Sequence, residues 1–410
     1  MSVSEHPQPE DAPIGRFEFV ALMAMLVATV AFSIDAMLPA LPRIGAELTP
    51  DAVNRAQLVV ASFLLGMGAG TFFTGPLSDS YGRKPVILVG AAIYILGALT
   101  AMIAPSLELM VAARILQGVG AAAARIVALA IIRDLYSGRE MARLISFVMM
   151  VFTLVPAVAP LAGSGVIALT GWRGIFGIFI LFTICTTLWM FLRLKEPLPV
   201  QRRRPFRPGA LWGAVKEVLS FRTVRLSFAV QILCFTTVFS SISSIQQIFG
   251  VTFDRAESFP YWFFVIALMA GTGSFVNAAL VMRLGMRRLI SFALVVQIGL
   301  TAVVLALFLI GLPPGIDFAV YVAWQTTVFF QAALTLGNLN ALAMEPLGHV
   351  AGMAASVVAS IGTVGSVILT VPVGLSFGGT PIPLFTGVLV CVVAGTLLMR
   401  RLQKIEHYDS

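Results

Sequence analysis

Apolar runs of about 20 residues or more follow one another along nearly the whole chain, separated by short breaks of charge, proline and glycine. A helix needs about 20 apolar residues to cross a hydrocarbon core of about 30 Å, so each run predicts a membrane span. The breaks delimit twelve: 17–42, 54–78, 84–104, 107–132, 143–168, 174–194, 223–248, 259–282, 288–311, 316–343, 350–376 and 381–400. A single long polar connection, "RLKEPLPVQRRRPFRPGALWGAVKEV", divides them six and six. The expected organisation is a six-helix half over 1–195, a linker loop over 196–222 and a second six-helix half over 223–410. Membrane barrels show ten-residue segments of alternating polarity, which this chain lacks. The fold class is an all-α polytopic membrane protein, with twelve transmembrane helices in two pseudo-symmetric halves.

Composition agrees: 59% of the 410 residues are hydrophobic and 11% charged, with a mean hydropathy of +0.96. Soluble domains carry about a quarter charged residues. The first run follows a polar stretch with a single base, Arg16, and is longer than the apolar region of a cleaved leader, so it is expected to remain as the first helix. The net charge of +8 reflects bases in loops, which argues for membrane orientation and against nucleic acid. With the N-terminus inside, 21 of the 27 Lys and Arg residues fall in inner segments and four in outer loops. Both termini are therefore expected in the cytoplasm. Cys185, Cys234 and Cys391 lie in apolar runs without CxxC spacing, and His6, His349 and His407 are scattered, so neither a disulfide nor a metal site is expected.

The halves carry a trace of repetition. At an offset of 203 residues "YGRKPVIL" falls on "LGMRRLIS", although Asp79 then meets Met282 and Gly75 meets Ala278. Internal repeats of this kind are the basis of alternating access in transporters.

The turn "GPLSDSYGRKPV" (75–86) concentrates polar chemistry between two apolar runs. Its glycines permit close helix approach and a tight turn, and Asp79 at a helix end is placed to hold bases and the next helix N-terminus. Through Gly75, Asp79, Gly82, Arg83 and Lys84 it resembles the signature between helices two and three of the major facilitator superfamily. "LMVAARILQGVGAAA" (109–123) resembles that family's fourth-helix motif through Arg114, Gln117, Gly118, Gly120 and Ala121. "LVPAVAPLAGS" (154–164) resembles its fifth-helix antiporter motif through Pro160 and Gly163, with Ala159 and Ser164 where the motif prefers glycine. "SIDAMLPALP" (33–42), "RDLYSGREMAR" (133–143) and "GWRGIF" (171–176) are similar to the bicyclomycin- and chloramphenicol-resistance branch of the drug:proton antiporters. The resemblance spans the N-terminal half, while the second half matches in layout.

It implies a proton-coupled exporter of small lipophilic compounds in a bacterial inner membrane, able to work as a monomer. The proton gradient would be its energy source, and no cofactor is implied. A proton-coupled uptake carrier for a small metabolite shares the fold and stays open. No phosphate loop, metal cluster or nucleophile–base set points to an enzyme.

Asp35 is the one carboxylate well inside an apolar span, seven residues from Pro42 or roughly 10 Å from the outer end. Arg114 lies seven residues from Leu107, at the same depth of roughly 10 Å. Equal depth makes a direct or water-mediated pair feasible. Asp35 is the expected proton carrier, with Arg114 setting its proton affinity; a structural ion pair or helix-end cap is the alternative. Arg125, eleven residues on, shares a helix face with Arg114 about 16 Å away. It is expected to hold an anionic or polar substrate group or, alternatively, backbone carbonyls.

An apolar, aromatic-lined pocket with a few polar handles suits lipophilic substrates. The candidates are Phe235, Phe239, Gln246, Tyr261, Phe264, Asn277, Trp324, Gln325, Phe329, Gln331 and Asn338, together with Gln117. Pro156, Pro160 and Pro372 are expected to bend their helices and help them gate. The Arg-rich run "QRRRPFRP" has two readings, contact with anionic lipid heads or plain topogenic charge.

Overall fold

The computed structural model describes residues 14–409; His6 lies outside them, as do the side chains of His349 and His407. Thirteen α-helices follow in order: α1 Arg16–Asp35, α2 Leu41–Leu48, α3 Leu58–Tyr81, α4 Arg83–Met102, α5 Leu107–Leu135, α6 Gly138–Arg193 and α7 Pro208–Ser220; then α8 Arg222–Gln247, α9 Phe259–Leu284, α10 Met286–Ile310, α11 Ile316–Met344, α12 Ala351–Leu375 and α13 Ile382–Asp409. Eleven apolar helical stretches among the described residues are long enough to cross a membrane. One of them, α6, runs for 56 residues and breaks at Gly171, whose backbone leaves the helical region at φ 73° and ψ 177°. Fifty-six residues of straight helix would measure about 84 Å, so α6 supplies two passes and the crossings number twelve.

The outer shell is greasy. Phe275, Met282, Ile310 and Leu169 are 78–88% exposed, and such side chains belong against lipid. The interior is held by close packing of small residues, because lipid tails give helices no hydrophobic reason to associate. The fourth-span motif shows how. A methyl group at Gly118 would collide with the Phe63 carbonyl of α3, and one at Gly120 with backbone of Gly90 and Tyr94 in α4. Two glycines two residues apart therefore let α5 press against two neighbours at once.

The weak repeat has a backbone counterpart. Gly82 ends α3 and opens α4 at φ 102°, ψ 161°; Gly285, 203 residues on, ends α9 and opens α10 at φ 78°, ψ 154°. A positive φ is accessible to glycine at no steric cost, and both halves use it to turn at the same point. The halves meet along α3 and α12. Gln57 faces Gly374 at one end, Gly68 lies against Thr363 and Val364 midway, and Gly75 lies against Ser356 at the other end. A second seam joins α6 to α9, where Thr153 faces Gly271.

Candidate functional site

The first span is broken where its acid sits. Asp35 is the last residue of α1, followed by a turn, a 3-10 segment at Leu38–Ala40 and then α2. Pro39 and Pro42 stand at the starts of those two segments, where a missing N–H disturbs least. Asp35 is 4% exposed, and among the described residues its carboxylate makes no hydrogen bond or ion pair. Gly163 of α6 is pressed against the backbone of Ala36, immediately after Asp35, and a side chain there would overlap the Ala36 carbonyl. The fifth-span motif thus touches the break in the first span directly. Pro156 and Pro160 lie inside α6, with Pro160 one turn from Gly163.

The expected Asp35–Arg114 pair is not made. Arg114 is fully buried and its donors go elsewhere: Nε to the Val59 carbonyl (3.1 Å), Nη1 to Gln117 Oε1 (2.7 Å) and Nη2 to the Ser33 carbonyl (3.0 Å). The guanidinium also lies over the Phe63 ring, 4.3 Å from its centre. Sequence depth equates the two charges, but Arg114 finds backbone carbonyls of α1 and α3 first and ties those helices to α5. Beside it Ser33 Oγ and Tyr94 Oη share a hydrogen bond of 2.6 Å. Gln117 is held by Arg114, while its amide nitrogen is buried without a protein partner.

Arg125 shares a helix face with Arg114 but meets another neighbour, the Phe152 ring of α6 at 5.8 Å. The helices crossing that face change along its length, so one face serves two environments. Arg125 is half-buried and has no hydrogen bond or ion pair among the described residues. An arginine at membrane depth without a carboxylate or carbonyl partner is a group in search of an acceptor.

In the second half, Phe235 and Phe239 stack at 5.4 Å, and Asn338 donates to Asn277 at 2.7 Å. Gln331 reaches Thr335 (3.0 Å) and the Cys234 sulfur (3.7 Å). Gln325 is fully buried and accepts from Tyr321 at 3.5 Å. Gln325 Nε2, Gln331 Oε1 and the hydroxyls of Ser240, Ser241 and Ser243 are buried without protein partners, which leaves hydrogen-bonding capacity for a polar guest. Trp324 is placed differently from the expectation. Its indole N–H donates to Thr301 of α10 (3.0 Å) and its ring meets Phe385 of α13 at 4.5 Å, so it belongs to the core of its own half. Tyr261 is 68% exposed on the outer shell; Phe329 touches Phe263.

At one end of the seam between the halves, the charged turn forms a latch. Arg83, 6% exposed, donates to Asp79 (2.6 Å), to Ser78 Oγ (2.6 Å) and to Asp134 (2.7 Å). Asp79 therefore holds a base, as expected, but it does not cap the next helix. Glu196 of the linker does, accepting from the backbone N–H groups of Arg83 (2.8 Å) and Lys84 (2.9 Å). Lys84 Nζ donates to the carbonyls of Phe191 and Leu194. Asp79 accepts from the Arg83 guanidinium, and Glu196 reaches the N–H groups that open α4 from a distant segment.

At the opposite end lies a clasp of uncharged polar groups, chiefly side-chain amides, that the sequence does not single out. Gln57 donates to Gln247 at 2.6 Å, Gln247 donates to Asn54, Asn54 donates to the Phe377 carbonyl, and Ser244 donates to Gln57 at 3.3 Å. Gln246, the expected handle, is buried; its neighbour Gln247 does the bridging. The signal available was amides near span ends in both halves, too common to single out. Close by, Trp172 and Arg173 of "GWRGIF" both hold Glu47 of α2, at 2.6 and 2.7 Å.

The family model described as Major Facilitator Superfamily matches residues 21–370. An uncharacterized MFS-type transporter of Bacillus subtilis, YdgK, is 28% identical over 95% of this chain and 96% of its own length. The bicyclomycin resistance protein homolog of Haemophilus influenzae is 28% identical over 93% and 95%. Multidrug resistance protein MdtL of Citrobacter koseri is 27% identical over 96% and 97%. Among solved structures, a D-xylose-proton symporter superposes with a TM-score of 0.73 at 13% identity over 93% of this chain and 97% of that one. The human organic anion transporter MFSD10 gives 0.64 at 18% identity over 96% and 100%.

Proposed function

The chain belongs to the Major Facilitator Superfamily, and on that premise we propose that it exports small, mostly lipophilic compounds in exchange for protons, its two halves alternating between the membrane faces. It is a multi-pass membrane transporter of the family to which drug-resistance proteins similar along its whole length also belong. The observation that carries the coupling is Asp35: a membrane-embedded carboxylate with no counter-ion among the described residues, at a break in the first span where the next residue, Ala36, is in backbone contact with the fifth-span glycine. An ionisable group so placed in a membrane marks a proton or ion path, since it must exchange a proton or meet a cation or water. Movement of α6 against that break changes what surrounds the acid, which links its proton to the conformation.

Arg114 in this reading is the knot that fixes the break's position, and it does not neutralise Asp35. Arg125, the unpartnered amide atoms of Gln117, Gln325 and Gln331 and the unpartnered hydroxyls of Ser240, Ser241 and Ser243 are the polar handles of a mostly apolar path, with Phe235, Phe239, Gln246, Asn277 and Asn338 as further lining. Gly75, Asp79, Gly82, Arg83 and Lys84 form the gate at the linker end. Pro156, Pro160 and Gly163 form the moving element. The arginine-rich linker sets that end in the cytoplasm, with both termini. The protein works without a cofactor, as a monomer, in a bacterial inner membrane.

Everted membrane vesicles energised by respiration test the direction. An exporter accumulates a lipophilic drug in their lumen, and collapse of the proton gradient releases it. Vesicles that instead lose a preloaded metabolite through this protein would identify an uptake carrier.

A further inference from the structure

The linker between the halves is a built structure. Its first part wraps the latch: Glu196 caps α4, and the Arg204 N–H donates to the Asp79 carbonyl at 3.0 Å. Its second part, α7, turns Leu211, Val215 and Val218 inward against Val224 of α8 and against Ala354 and Val358 in the opening turns of α12. One segment is thus bonded to the gate in the first half and packed on the second.

The packing fixes where α7 lies. It packs on the start of α12 and links the ends of α6 and α8, all span ends, which sets it at a membrane face. Its other face carries Trp212, 61% exposed, with Lys216 and Leu219 one and two turns on. A tryptophan, a lysine and an apolar residue on one stripe suit the boundary between headgroups and acyl chains. Beside it Lys195, Arg202, Arg204 and Arg207 are exposed, and none forms an ion pair among the described residues. The nearby acid Glu196 faces inward as the cap. Glu217 of α7 is half-buried, so the fully exposed charges of this surface are basic; they lie at headgroup height and are rimmed by an interfacial aromatic.

We propose that the linker and α7 form a docking surface for anionic phospholipid headgroups, and that lipid held there keeps the linker strapped across the latch. The occupant is the bilayer's own acidic lipid. Charge, depth and the Trp212 stripe coincide on it, whereas charge that serves topology alone needs no ordered helix and no cap on the gate.

Hydrogen exchange of the full protein in lipid nanodiscs tests this, comparing phosphatidylcholine discs with discs that also contain phosphatidylglycerol. The readout needs no transport, so it stands apart from the export reading. Phosphatidylglycerol is expected to slow exchange across 208–220 and at the capped amides of Arg83 and Lys84. The triple substitution Arg202→Gln, Arg204→Gln, Arg207→Gln is expected to abolish the difference. Each base near an anionic surface is worth roughly fivefold in association, so the variant should lower phosphatidylglycerol enrichment around the protein by roughly tenfold or more. Among the described residues those side chains make no hydrogen bond, so the variant keeps its fold, which unchanged exchange in α3 and α5 verifies. Equal exchange in the two discs, or a phosphatidylglycerol effect that survives the triple substitution, would overturn the proposal.

Discussion

Arg114 donates to the carbonyl of Ser33 at 3.0 Å, two residues before Asp35, and leaves the acid itself without a partner. The two charges at equal depth therefore have separate work, one structural and one available for exchange. Their variants should separate in the same way. Arg114→Ala removes charged hydrogen bonds to two helices and should destabilise the protein by about 3 kcal/mol or more. Asp35→Asn removes an uncompensated charge and should leave stability equal or raised. Thermal unfolding of the purified proteins in detergent checks both; a larger fall for Asp35→Asn would contradict the assignment.

Gly163 has no room for a side chain against Ala36. Gly163→Val should displace the break in the first span, costing about 1–3 kcal/mol as overpacking and abolishing transport. Gly165, two residues away, has open space where a side chain would go, so Gly165→Ala should be silent. Drug-resistance growth assays with matched expression distinguish the two.

The latch predicts an order of effects. Arg83→Ala leaves Asp79 and Asp134 facing each other without their base and should cost about 3 kcal/mol. Glu196→Gln weakens a charged helix cap and should cost about 1 kcal/mol. A double-mutant cycle between Arg83 and Asp134 should return a coupling of about 1–3 kcal/mol. Additive effects would mean that the pair does not act as a unit.

The amide clasp contains no ionisable group, so it should hold equally at pH 5 and pH 8 and in high salt. Gln247→Ala removes its central bridge. Labelling of a Val53→Cys protein, at a position beside the clasp but not in it, by a membrane-impermeant maleimide should rise in that background. Unchanged labelling would show that the halves are held at that end by something else.

The span pattern, the six-plus-six division and the charged turn were legible in the sequence because each rests on local composition. The repeat at 203 residues was faint in side chains yet plain in backbone, since Gly82 and Gly285 preserve a turn while Asp79 has no counterpart. The site was less legible. Depth along a helix made an Asp35–Arg114 pair feasible, but which acceptor a guanidinium chooses depends on neighbours from other helices. Trp324 illustrates the same limit: an aromatic in a span has two sides, and only packing with α10 and α13 shows which one faces inward. Glu196 and Gln247 act across long sequence separations, and nothing local marks them.

The most direct test of the account is drug-dependent proton movement in proteoliposomes, read by a dye trapped in the lumen under an imposed pH gradient, for the wild type and for Asp35→Asn. The account predicts that a lipophilic drug drives proton movement through the wild type and none through the variant, with both proteins equally folded. Proton movement of wild-type size through Asp35→Asn would contradict it.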